Sequence, residues 1–210
     1  MYKMDHFTEK DTTKIIAFIK DNAFATVTGF GEIYPVATQV PLEVECIGEK
    51  IFLLGHFMKK TTHHKAFENN NKVLVLFTGL HCYVSASWYH NPQTASTWNY
   101  MTVQASGELV YTDEASTFEA IKSVTNKYEG TDTSAAFNKI PIEYIDLMLK
   151  AIVGFRIEVK SLEATFKLSQ NKKVDEQLNI IDKLRARGDE QSANIALEME
   201  KLIPVKKEII

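Results

Sequence analysis

Residues 55–65, GHFMKKTTHHK, gather Lys59, Lys60 and Lys65 around the hydroxyls of Thr61 and Thr62, directly after a strand-like run. A strand end that opens into a helical turn offers backbone N–H groups without intrahelical partners and the positive end of a helix dipole. Lysine ammoniums and threonine hydroxyls add donors suited to a phosphate dianion. Each charge-assisted hydrogen bond contributes roughly 1.5–3 kcal/mol, so three or four would anchor a phosphorylated cofactor. A solvated basic turn is the other reading. Two further segments carry polar chemistry. SASWYHNPQTASTWNY (85–100) holds both tryptophans, Trp88 and Trp98, among Ser, Thr and Asn, which suits the wall of a pocket or an interface. EATFKLSQNKK (163–173) ends a strand in Lys167, Ser169, Gln170 and Asn171. Amides and hydroxyls massed there suit the edge of a heteroaromatic ring and a subunit contact equally.

Other chemistries find less support. Five of six histidines, His56, His63, His64, His81 and His90, lie between 56 and 90. A metal needs converging ligands, and the adjacent His63 and His64 must diverge on a helix, so surface or hydrogen-bonded histidines are expected. No G-x-S-x-G, G-x-G-x-x-G, Walker loop or metalloprotease helix is present. Cys46 and Cys82 have no metal or redox spacing and imply no disulfide framework.

These residues must be positioned by a chain of 210 residues with 45% apolar and 24% charged content, enough for one moderate domain and its core. A net charge of −3 argues against an overall basic surface. No apolar run approaches the ~20 residues of a membrane span, and MYKMDHFTEKD lacks a signal's apolar region, so a cytoplasmic protein with no membrane partner is expected. Periodicity predicts a helix over 12–20, with Ile15, Ile16 and Ile19 on one face after a Thr or Asp cap. Strands follow over 23–29, 32–45 (with Pro35 and Pro41 marking edges or bulges) and 50–56, the last ending in Gly55-His56. A short polar helix over 59–71 precedes strands over 72–79, 82–89 and 100–112. Helices over 113–129 and 143–152 then precede a return to strands over 153–169. Two helical stretches, 174–187 and 190–203, break at Gly188-Asp189, a stop followed by a cap. Their stripes are Leu178, Ile181 and Leu184, then Ile195, Met199 and Leu202. Strands at hairpin spacing with peripheral helices favour an antiparallel barrel over a doubly wound sheet.

GHFMKKTTHHKAF, FTGLHCYVSASWY, STWNY, AIVGF and KLSQNKK occur in the order and spacing of the PaiB-like family, which the chain resembles from about Met1 to Lys173. That family is described as FMN-binding negative transcriptional regulators, among the split barrels related to pyridoxamine phosphate oxidase. The resemblance implies a mainly β chain with peripheral helices: an antiparallel split β-barrel of the FMN-binding type with a C-terminal helical hairpin. Residues 1–173 would be the flavin-binding domain and 174–210 a helical tail. It implies a homodimer holding FMN in two grooves between subunits. His56, Lys59 and Lys60 would meet the phosphate, with Lys59 standing where the family usually has arginine and Met58 where it has a small residue. Phe77 and Thr78 would run along the isoalloxazine. Trp88, Thr97, Trp98 and Asn99 would cover the groove, and Lys167, Ser169, Gln170 and Asn171 would complete it. The family's S-P-S-W-Y and P-T-W-N-Y blocks stand here as Ser85-Ala86-Ser87-Trp88-Tyr89 and Ser96-Thr97-Trp98-Asn99-Tyr100, each without its proline.

Three classes of function stay open. The first is an FMN-binding split-barrel homodimer, with weak flavin-dependent oxidoreductase activity an open question because no catalytic motif is present. The second is a DNA-binding negative regulator without flavin turnover, which no helix-turn-helix pattern supports. The third is a haem-binding split barrel, which the histidines suggest.

Overall fold

The run EIYPVATQVPLEVE, expected as one strand, folds as two. Strand β3 (Val36–Pro41) and strand β4 (Glu43–Ile47) are separated by Leu42. Pro41 lacks a ladder donor and ends β3, while the Leu42 N–H donates to Ala23 O at 2.9 Å and its side chain is buried. These elements belong to a computed structural model describing residues 4–204. The outer ends of the two expected domain ranges, 1–3 and 205–210, lie outside the described residues.

In chain order the elements are β1 (Thr8–Glu9), α1 (Thr12–Asp21), β2 (Phe24–Gly29), the two strands above, β5 (Lys50–Met58), α2 (Thr62–Asn69), β6 (Lys72–Val84), β7 (Thr97–Tyr111), α3 (Glu114–Glu129), α4 (Ile142–Ala151), β8 (Ile152–Lys167), α5 (Val174–Arg187) and α6 (Glu190–Glu200). The sheet order is β3-β2-β6-β7-β8-β5-β4, with β1 on β8. The registered pairs are antiparallel: β2 with β3 and β6, β4 with β5, and β8 with β5 and β1. Sequence neighbours β3 and β4 stand at opposite ends of that order, so Leu42 alone spans the two edges and the sheet must curl. Gly55 permits this curl. A Cβ there would lie 2.7 Å from Leu42 Cδ2 and 2.8 Å from Phe155 Cζ.

The described residues form two units. In the first, 16–77 and 104–162, a core of Ile19, Val27, Leu53, Phe67, Phe155 and Ile157 is almost wholly buried. Each such side chain contributes about 1.5–3 kcal/mol of transfer free energy. Its helices begin as sequence chemistry dictates: Thr61 Oγ1 caps α2, and Asp113 accepts from Ser116 N–H at 2.8 Å to cap α3. Phe137, Ile145 and Leu149 form a satellite cluster with Phe118 and Ile121.

In the second unit, 4–15, 78–103 and 163–204, the hairpin of α5 and α6 is part of the core. Gly188 takes φ +81°, a left-handed stop open to glycine, and Asp189 caps α6 by accepting from Ser192 N–H at 2.8 Å. The buried stripe is Ile180, Ile181 and Leu184 facing Ile195, Ala196 and Met199. Leu178 and Leu202, expected within it, are exposed, because Ile180 rather than Leu178 shares the inward face with Leu184. Helix α6 ends at Glu200, three residues short of expectation. The strands expected over 72–79 and 82–89 are one continuous β6 that stops at Val84, and Ala86–Trp88 is a 3₁₀ turn. No described helix is long and apolar enough to cross a membrane.

Candidate functional site

The lysine turn sits in the first unit. Strand β5 does not end at Gly55-His56; it continues to Met58 because His56, Phe57 and Met58 pair with Gly154, Val153 and Ile152. The turn is Lys59-Lys60, and Lys60 takes φ +62°, an uncommon conformation for a side-chain-bearing residue. Lys60 N–H donates to His64 Nδ1 at 3.3 Å, leaving its exposed ammonium with no ion pair among the described residues. Lys59 differs. Its N–H donates to Ala151 O at 2.8 Å and its Nζ to Leu149 O at 3.1 Å, so it ties the C-terminal end of α4. His56, half-buried on β5, has an Nδ1 without a partner among the described residues. Phe77 is fully buried in the same unit.

Burial lowers the pKa of His56, and burial, then repulsion from His64, lowers that of His63. The unfolded chain takes up these protons near pH 6.5, and the folded chain only below that. Between those values the unfolded state binds more protons, so stability is lost as the pH falls. The melting temperature should therefore decline as the pH is lowered from 7 toward 5. His56→Leu should flatten that decline, since Nδ1 has no hydrogen bond to lose; an unaltered slope would assign the loss to His63.

The tryptophan and K-L-S-Q-N residues come together in the second unit. Asn99 is wholly buried: its Oδ1 accepts from Ser169 Oγ at 2.9 Å and its Nδ2 donates to Met199 Sδ at 3.4 Å. Ser169 takes φ +63°, and Lys167 Nζ donates to Thr97 Oγ1. Burial lowers the Lys167 pKa. Gln170 closes its own turn, its Oε1 accepting from Leu168 N–H at 2.7 Å. Asn171 and Thr78 are exposed. Trp98, 52% exposed, has Tyr83 and His81 ring centres 6.1 and 6.2 Å away. The Arg187 guanidinium carbon stands 4.9 Å from the ring centre of Trp88, and Lys172 Nζ stands 3.7 Å from that of Tyr89. Cys82 is buried nearby in sequence, its thiol pushed up to about 11 chiefly by burial.

Two departures from the family pattern prove to be linked. Ala86 N–H donates to Ser96 Oγ at 3.0 Å, and these are the two positions at which the resemblance described above would put proline. Proline at 86 would remove the donor and proline at 96 the acceptor. A hydrogen bond between the two chain ends of the loop thus stands where ring rigidity is expected. The contacts of Arg187, Lys172, Asn179 and Met199 were not predictable from local pattern, because each partner lies about 80 to 100 residues away along the chain.

The curled antiparallel sheet with peripheral helices defines a split β-barrel. The fold is shared with the FAD and haem binding protein of Mycobacterium smegmatis, at TM-score 0.59 and 14% identity, covering 87% of this chain and 80% of that one. It is shared also with the flavocytochrome of Azotobacter vinelandii, at TM-score 0.57 and 13% identity, covering 79% of this chain and 72% of that one. Within that fold the chain belongs to the PaiB-like family: residues 1–161 match the family described as "Putative FMN-binding domain". It is 31% identical over 201 residues to "Protease synthase and sporulation protein PAI 2" of Bacillus subtilis, covering 95% of this chain and 97% of that protein.

Proposed function

We propose that this protein is a cytoplasmic homodimer that binds FMN in grooves between its subunits and serves a regulatory role. Residues 1–173 would be the flavin-binding part and 174–210 a helical tail. What carries the reading is one coincidence. His56 Nδ1, a ring nitrogen without a partner among the described residues, lies on the strand that leads into Lys60, exposed and without an ion pair among those residues, at the start of helix α2, whose first turn carries the positive end of the helix dipole. Those donors fit a phosphate dianion. His56, Lys60 and, on release from its carbonyl, Lys59 would hold the phosphate. Thr78, backed by the buried Phe77, would lie along the ring. Trp88, Thr97 and Trp98, with Lys167, Gln170 and Asn171, would wall the ring side and exclude water, and the buried Asn99–Ser169 pair would hold that wall from behind. When bound, FMN supplies electron-transfer chemistry; the chain's own residues bind and orient it.

Haem is the second reading, favoured by a second unpartnered buried nitrogen, His63 Nε2, and by a fold neighbour that binds FAD and haem. A visible spectrum and mass analysis of the purified protein separate the two. Flavin bands are expected, and a Soret band in their place would select haem. Light scattering should give a dimer, and a stable monomer at micromolar concentration would exclude grooves between subunits.

A further inference from the structure

We propose that the C-terminal hairpin is a clamp that holds the tryptophan loop in its ring-gripping shape, with Arg187 as the positioning residue. This rests on the flavin reading above and assigns that site a control that lies outside the family match, which ends at residue 161.

The loop has little to hold it in place by itself. Residues 91–96 are all exposed, and the chief internal brace is the Ala86–Ser96 hydrogen bond. The hairpin supplies the rest from three levels of its length. Near the start of α5, Glu176 Oε1 accepts from His90 N–H at 3.0 Å and Asp175 Oδ2 lies 3.5 Å from His90 Nε2. Midway, Asn179 Nδ2 donates to Trp88 O at 2.6 Å. At its end, Arg187 stacks on Trp88, and its Nη1 donates to Tyr83 O at 3.0 Å and Ser192 Oγ at 3.2 Å. Arg187 therefore joins the end of β6, the tryptophan turn and the start of α6. Helix α6 then reaches Asn99 through Met199. A planar guanidinium stacks and donates at once; an ammonium cannot reproduce both. The class of ligand follows from what the clamp touches. It orders aromatic and amide groups, so it governs the isoalloxazine rather than the phosphate.

The test uses the full chain with Arg187→Ala, Arg187→Lys and Asn179→Ala, and Lys201→Ala as a surface control. Flavin fluorescence titrations with FMN and riboflavin are run at a temperature where circular dichroism shows each variant folded. Arg187→Ala should weaken both ligands about tenfold and leave their affinity ratio unchanged, Arg187→Lys should fall between, and Lys201→Ala should match the parent. Hydrogen exchange should quicken at 85–90 and not along β7. A folded Arg187→Ala with unchanged affinities overturns the clamp and leaves the flavin reading intact. If Arg187→Ala does not fold, Asn179→Ala decides, and unchanged affinities and exchange there overturn the clamp in the same way. A parent protein that binds neither flavin sinks the flavin reading itself, and the clamp with it.

Discussion

FMN should bind this protein far more tightly than riboflavin, and Lys59→Ala with Lys60→Ala should remove most of the difference. Two charge-assisted contacts contribute roughly 3–6 kcal/mol if independent. The exposure of Lys60 and screening by salt reduce that, so FMN should weaken by about 10- to 1,000-fold while riboflavin barely changes. The effect should shrink as ionic strength rises. The two lysines should not share the loss equally. Among the described residues Lys60 has no ion pair to give up, whereas Lys59 would have to leave Leu149 O to reach a phosphate. Lys60→Ala alone should carry the larger loss of affinity, and Lys59→Ala should also lower the melting temperature by loosening α4. Trp98→Ala should act differently, weakening FMN and riboflavin together because on the proposed reading its exposed ring would meet the isoalloxazine and not the phosphate. A titration following flavin fluorescence reads all of these. Equal affinity of the unmodified protein for FMN and riboflavin would remove the phosphate role from this turn.

The asymmetry between the lysines marks where sequence reasoning stops. Local chemistry was legible: Asp113, Thr61 and Asp189 cap helices as their types require, and Gly188 stops α5. The strand breaks were less so. Gly55 reads as a turn glycine, yet it is an interior strand residue whose missing side chain makes room for Leu42 and Phe155. Pro41 marks an edge, as expected, but no periodicity says that the chain then crosses to the far edge of the sheet. In the site, Asn99 and Ser169 are each visible as polar residues in a specific block. That they bond to each other, with Asn99 also donating to Met199, depends on pairing between segments 70 and 100 residues apart. Lys59 is of the type, and at the position, to which the sequence reading assigns a phosphate contact, and only the fold shows that a helix end already occupies its ammonium.

Loss of the hairpin should be the most damaging change to the second unit. Ending the chain after Lys173 removes Ile180, Ile181, Leu184, Ile195, Ala196 and Met199, all nearly or wholly buried, and strips Asn99 of one of its two side-chain partners. The apolar faces once covered would be open to water. The truncated protein should precipitate or melt far below the parent. A single substitution grades the same effect. Leu184→Ala should cost about 2–5 kcal/mol, which for a chain of this size lowers the melting temperature by roughly 4–20 °C. Leu178→Ala, on the exposed side of the same helix, should cost less than about 0.5 kcal/mol. Thermal melts of the three proteins beside the parent are sufficient. Were the truncation to melt and associate like the parent, the hairpin would be an idle appendage. Were Leu178→Ala to cost as much as Leu184→Ala, the outer face of α5 would be covered by a partner, and a second copy of this chain would be the first one to test.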